Sequence, residues 1–156
     1  MLRSQRNKMH LNSMELQHIN AKILVDGELT VDLEQFIELF HQWIQESQLD
    51  DRFLFDVADY RHVPDEPGVV LIGLREDFAI DHATGRYGIL YNRKAPLEGS
   101  NKDRLRQALA SAAEACALVE QQIDGVKFSR QEFEMFVNDS VLATNKSEPY
   151  AAFQCE

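Results

Sequence analysis

The segment Asp56-Val57-Ala58-Asp59-Tyr60-Arg61-His62-Val63-Pro64 is the densest run of reactive side chains in this sequence. Two carboxylates, a phenol, a guanidinium and an imidazole follow one another there. An imidazole titrates near neutral pH, so His62 is suited to moving protons, with Asp56 or Asp59 as the complementary base. Two aspartates and a histidine also form a carboxylate-rich set of the kind that holds a divalent cation. Positions 56, 59 and 62 do not share a face of an extended chain, however, and converge only if the loop turns sharply. The plainer account is that Asp56 ends a strand, Asp59 caps a loop and His62 is solvated.

A second group is cationic: Arg86, Arg93, Lys94, Lys102, Arg104 and Arg106. Arg93 and Lys94 follow a strand-like run, and Ser100 stands where a helix would begin. A helix N-terminus presents unpaired N–H groups and a favourable dipole, so a phosphate or carboxylate fits between it and these two side chains. The competing account is that these cations pair with the many surface carboxylates, in exchanges that are individually weak. Cys116 falls in an apolar helical stripe, Cys155 lies near the end of the sequence, and His41 flanks another apolar face. None has the setting of a nucleophile or ligand. Gly85-Arg86-Tyr87-Gly88 imitates the GxxG of nucleic-acid-binding KH domains, but it sits in a hairpin of an acidic chain. No phosphate-binding loop, dinucleotide fingerprint, nucleophile elbow or metalloprotease motif occurs, so no cofactor and no metal are expected.

Charge narrows the classes further. Sixteen Lys and Arg oppose 26 Asp and Glu, for a formal net charge of −10. Arg3, Arg6 and Lys8 account for three of the cations, so the remainder stands at 13 against 26, or −13. A field of that sign repels nucleic-acid backbones and anionic lipid, and neither is expected as a partner. The first residues lack the continuous apolar core of a secretory signal, and no run reaches the length of a membrane span. The expected compartment is the cytoplasm.

The elements that must position these residues follow from periodicity. Lys22 to Asp26 reads as a first strand. Asp32 is a helix N-cap, followed by Leu33, Phe36, Ile37, Phe40 and Ile44 at helical spacing, with Leu39 and Trp43 widening the stripe. Arg52 to Ala58 is short, apolar and aromatic, the pattern of a buried strand. Residues 69–92 read as one long hairpin turning at Asp81–Gly85. Ser100 and Asp103 form a capping box for a second helix, whose stripe is Leu105, Ala108, Leu109, Ala112, Cys116 and Val119. Val126–Phe128 and Phe133–Val137 read as a second hairpin around Ser129-Arg130-Gln131. Ser147-Glu148-Pro149 is suited to opening a final helical turn.

The resulting order is β-α-β-β-β-α-β-β. We expect an α+β two-layer sandwich: a mixed, mostly antiparallel sheet with both main helices on one face, a ferredoxin-like core with an added hairpin. Residues 1–19 are expected to form a poorly ordered tail and residues 20–156 a single domain.

The runs DVADYRHVPDEPGVVLIG, GRYGILYNRK and FEMFVNDSVLATN resemble those of a family of small bacterial proteins with no established activity. The resemblance extends over residues 22–145. It implies a stand-alone bacterial-type domain and transfers no catalytic or binding residues.

Two functional classes follow. The first is a small binding or protein-interaction module, either an accessory subunit or a homodimer, working through the Pro-framed loop beside the cationic patch. Its candidate residues are Asp56, Asp59, Tyr60, His62, Arg93 and Lys94. The alternative is a small enzyme acting on an anionic metabolite, in which Arg93 and Lys94 hold the anion while Asp56, Asp59 or His62 move protons. The partner is accordingly a protein, a second copy, or a small anion.

Overall fold

The computed structural model describes residues 15–46, 49, 52–64 and 67–137. The expected helical turn at Ser147, the thiol of Cys155 and most of the expected N-terminal tail lie outside the described residues. The elements in chain order are β1 (Ile19–Val25), α1 (Glu34–Glu46), β2 (Leu54–Asp59), β3 (Val69–Gly73), β4 (Glu76–Asp81), β5 (Gly88–Arg93), α2 (Asn101–Gln122) and β6 (Phe128–Val137).

The six strands form one sheet in the order β2-β3-β4-β5-β1-β6, with every pairing antiparallel. The first strand lies between the strand that precedes α2 and the strand that follows it. That is the ferredoxin-like arrangement with one extra hairpin, and the expected α+β sandwich stands. Because β1 and β2 are separated by three strands, they form no parallel pair, and among the described residues the sheet is antiparallel and not mixed.

Both helices cover the same face. Helix α1 begins where Asp32 Oδ1 accepts the Glu34 N–H at 3.0 Å. It buries Phe36, Leu39, Phe40 and Trp43 over β2 and β3. Helix α2 carries the expected capping box: Ser100 Oγ accepts the Asp103 N–H at 3.1 Å, and the Asp103 carboxylate accepts the Ser100 N–H at 3.0 Å. Its buried stripe is rich in small residues (Ala108, Ser111, Ala112, Ala115 and Cys116), so it approaches β1, β5 and β6 closely. Trp43 Nε1 donates to Gln122 Oε1 at 2.7 Å, joining the ends of the two helices. Beneath them lie Ala21, Ile23, Leu71, Phe78, Ile80, Ile89 and Tyr91 in a single core.

Three expectations need correction. Residues 69–92 form three strands rather than two, because the chain reverses at Leu74–Arg75 as well as near Gly85. Residues 126–137 form one strand rather than a hairpin. The local turn is real: Ser129 Oγ accepts the N–H groups of Gln131 and Glu132 at 3.1 and 2.9 Å. It resolves as a bulge, however, with residues 129–132 bowing out opposite Leu24 before Phe133 pairs with Ile23. Finally, β2 is an edge strand and not a buried one, with Phe53 and Phe55 62% and 61% exposed.

The body also begins earlier than residue 20. Leu16 N–H donates to Asn101 Oδ1 at 2.9 Å, and Arg104 Nε donates to Leu16 O at 2.9 Å. The Gln17 amide exchanges two hydrogen bonds with the Leu97 backbone. These contacts tie residues 16 and 17 to the start of α2.

Candidate functional site

With both helices on one side, no helix among the described residues lies on the opposite face of the sheet. The pleat sends alternate residues to that face, and the register sets them in rows. One row runs Asn20, Asn92, Asp77, Ile72 and Asp56; the next runs Lys22, Leu90, Ala79, Val70 and Ala58. A groove of about 410 Å³ opens there, with Val70, Ala79 and Leu90 among its lining residues and Tyr60 and Lys94 at its margin. Its apolar floor, with a few polar groups around it, is the composition of a recognition surface.

Those polar groups are unevenly satisfied. Lys94 Nζ lies 2.9 Å from Asp77 Oδ1, which also accepts the Gly73 N–H at 3.3 Å. Asn20 Oδ1 is inaccessible to solvent and has no hydrogen-bond donor among the described residues. A buried polar atom without a partner is uncommon and costs about 1–3 kcal/mol, so this one calls for an account. Directly across the β1–β5 ladder stands Asn92, another amide on the same wall of the groove.

Lys22 lies in the neighbouring row and is fully buried. Its ammonium reaches Asp81 Oδ2 at 2.9 Å, Thr84 Oγ1 at 2.8 Å and the Arg86 carbonyl at 2.7 Å, which uses all three protons. Gly88 makes the space: a Cβ there would stand 2.6 Å from Ile23 O and 3.0 Å from Lys22 Cε. Lys22 is therefore an internal tie and not a cation available to a ligand.

No family model, no curated protein and no solved structure matches this chain. The geometry alone carries the reading.

Of the six residues singled out by sequence, the structure brings Tyr60 and Lys94 to the groove. Asp56 is on the same face at the sheet edge, where its Oδ1 accepts the N–H of its neighbour Val57 at 2.8 Å. Asp59 projects to the helix-covered face and makes a bidentate pair with Arg61, at 2.9 Å to Nε and 2.8 Å to Nη2. The Arg61 side chain, and next its backbone N–H, hold the Asp59 carboxyl down at about 2. Arg61 also reaches Glu34 at 3.0 Å. His62 is exposed on the loop.

Arg93 and Lys94 are consecutive, so the pleat points them to opposite faces. Arg93 turns to the helix side, donating to Ala95 O at 2.8 Å and standing 3.7 Å from Glu76. It pairs with Glu76 at one end of the sheet, while Asp59 pairs with Val69 at the other. Asp59, His62 and Arg93 therefore do not share a pocket. The start of α2 already holds an anion of its own, the Asp103 carboxylate, whose pKa is lowered by hydrogen bonds from the Ser100 backbone and side chain.

Buried ionisable groups elsewhere serve packing. Glu76 accepts the Tyr91 hydroxyl at 2.9 Å and pairs with Arg52, whose guanidinium lies over the Phe78 and Tyr91 rings. Burial pushes the Tyr91 phenol and the Cys116 thiol up. Among the described residues, no three metal-ligating side chains come together, and no helix is long and apolar enough to cross a membrane.

The groove residues that sequence reading passed over are Asn20, Asn92, Val70 and Leu90. The asparagines did leave a signal, since asparagine is depleted within strands and both stand inside one. The two aliphatic residues left none, because their neighbours depend on register.

Proposed function

We propose that this chain is a small cytoplasmic binding module, an accessory subunit or a self-associating one, that recognises protein through the groove on the sheet face opposite α1 and α2. The observation that carries this reading is the groove itself, an apolar floor that includes Val70, Ala79 and Leu90 beside a part-exposed Tyr60. A protein segment would lay apolar side chains on Val70, Ile72 and Leu90 and set polar groups beside Asp77, Asn92 and Lys94. The segment from Asp56 to His62 contributes Tyr60 to this surface. Its acidic residues are spent on backbone and guanidinium contacts, which leaves the enzymatic alternative without an assembled acid–base pair.

Hydroxyl-radical footprinting tests the reading whatever the occupant. Tyr60 should be oxidised readily in dilute purified protein and be protected in concentrated extract of the source cell. Exposed Phe53 at the sheet edge serves as the internal reference. Equal oxidation of Tyr60 under both conditions would remove the basis for a binding groove.

A further inference from the structure

We propose that the outer edge of β6 is a docking surface for the chain's own continuation. Residues 138–144 return along it as a seventh strand, turning at Asn138-Asp139 and setting Val141 opposite Phe136 and Leu142 opposite Met135. The inference stands apart from the reading of the groove.

The two edge strands of the described sheet, β2 and β6, differ in burial. Every residue of β2 is exposed or half-buried, and that edge carries its own guards. A bulge separates Leu54 from Asp56, while Asp56 Oδ1 and Asp59 Oδ1 accept the N–H groups of Val57 and Arg61. Edges treated this way resist strand addition. The first half of β6 is guarded similarly, by its bowed segment and exposed Arg130, Gln131 and Glu132.

The last three residues of β6 do not behave as an edge. Met135, Phe136 and Val137 are only 5%, 8% and 4% exposed. Met135 and Val137 pair with Ala21 and Ile19 and face the helices, whereas Phe136 pairs with Asn20 and faces the other way. Asn20 Oδ1, beside Phe136, is closed to solvent as well. This end of the strand is therefore covered on both faces, yet no described helix lies on the Phe136 side and no described strand lies beyond β6.

Backbone direction says what fits there. Val25 N–H donates to Tyr87 O, so the odd-numbered residues of β1 bond to β5 and Asn20 and Lys22 bond to β6. The backbone groups of Glu134 and Phe136 are thereby turned to β1, and those of Phe133, Met135 and Val137 point outward. A two-residue hairpin leaving Val137 needs that orientation, because its closing pair, Val137 with Ser140, is hydrogen-bonded.

The sequence agrees. Asn-Asp suits the mirror-image turn, whose two central residues take positive φ. Ser140-Val141-Leu142-Ala143-Thr144 carries no charge in a chain of net charge −10. The register sets apolar against apolar on both faces, and a slip of one residue would exchange them. Residues 1–14 fit this place less well. They carry Arg3, Arg6 and Lys8, and they enter through Leu16 and Gln17, which are held at the start of α2. A seventh strand closes this edge to partners and leaves them the groove, whose amide row begins beside Phe136.

Disulfide trapping in the full chain tests the register. With Cys116→Ser and Cys155→Ser in place, Glu134→Cys with Ala143→Cys should close within one molecule on mild oxidation. It should do so on the order of tenfold faster than Glu134→Cys with Leu142→Cys, whose side chains leave opposite faces. Hydrogen exchange of the unsubstituted chain gives a second measurement. Leu142 and Thr144 amides should exchange roughly 100-fold more slowly than those of Val141 and Ala143, which point away from β6.

Equal closure of the two cysteine pairs, or fast exchange throughout residues 140–144, overturns the inference. So does a disulfide formed between molecules, which would assign the edge to a second copy. Slow exchange of Met135 without protection at Leu142 would also overturn it, by giving the cover to another part of the chain. None of these results bears on the footprint of Tyr60, so the groove is tested separately.

Discussion

Lys22 Nζ stands 2.9 Å from Asp81 Oδ2, and the two side chains are 1% and 5% exposed. This buried ion pair links the central strand β1 to the tip of the β4–β5 hairpin across the intervening strand. Because Thr84 and the Arg86 carbonyl complete the ammonium's hydrogen bonds, the pair is satisfied rather than merely enclosed.

Removing one member of such a pair leaves the other charge buried and uncompensated, which typically costs about 3–5 kcal/mol. Lys22→Met and Asp81→Asn should each lower the unfolding free energy by that order. The double variant should recover part of the loss, since neither stranded charge remains. Urea denaturation of the three proteins measures the coupling; strictly additive losses would mean that the two groups act independently.

The pair at the sheet edge behaves differently because it is exposed. The Asp59 carboxyl titrates at about 2, below its ordinary value, chiefly through its hydrogen bonds with Arg61. A carboxyl depressed in the folded state adds stability that is complete above the unfolded value, near pH 4. That contribution is lost as pH falls from there through about 2. An NMR titration of the Asp59 side chain should give the low midpoint, and Arg61→Ala should return it to the usual carboxylate range. High salt should move it partway, as expected for a solvated pair.

Asp56 and Asp59 cap the N–H groups of Val57 and Arg61, and Asp56 places negative charge next in sequence to exposed Phe55. Replacing both with valine would remove the caps and the charge and leave a flatter apolar edge. We expect the double variant to aggregate with concentration at temperatures where the parent stays clear, as light scattering would record. A double variant as clear as the parent would show that the bulge alone guards the edge.

Local features were legible in the sequence. Helical spacing located Phe36, Phe40 and the alanine stripe of α2, and the Ser100–Asp103 box was readable because both of its hydrogen bonds lie within four residues. What failed depended on distant parts of the chain. Phe53 and Phe55 look like core residues until the sheet order places β2 at an edge, and no window around them contains that order. The reversal at Leu74–Arg75 lacks the Asn-Gly or Asp-Gly dipeptide that marks a two-residue hairpin, and it was hidden inside a longer apolar run.

The candidate site divides in the same way. The chemical richness of Asp56 to His62 was visible, but its use was not: whether a carboxylate caps an outward N–H or faces a ligand depends on which side of β2 has a neighbour. Tyr60 and Lys94, legible by their chemistry, do share the groove. Asn20, Val70 and Leu90 come from three different strands and become neighbours only once β1, β3, β4 and β5 are in register.

The position of β1 bears on how the molecule is made. Ile23 pairs with Phe133, 110 residues later (133 minus 23). On a ribosome adding roughly 5–20 residues each second, one flank of β1 therefore waits several seconds for its mate. During that interval an apolar ribbon is open to any passing chain, and long-range pairing of this kind closes slowly even once it is possible. The nascent protein is thus most vulnerable before α2 and β6 have left the exit tunnel, and a holding chaperone would find its natural target in the half-built sheet.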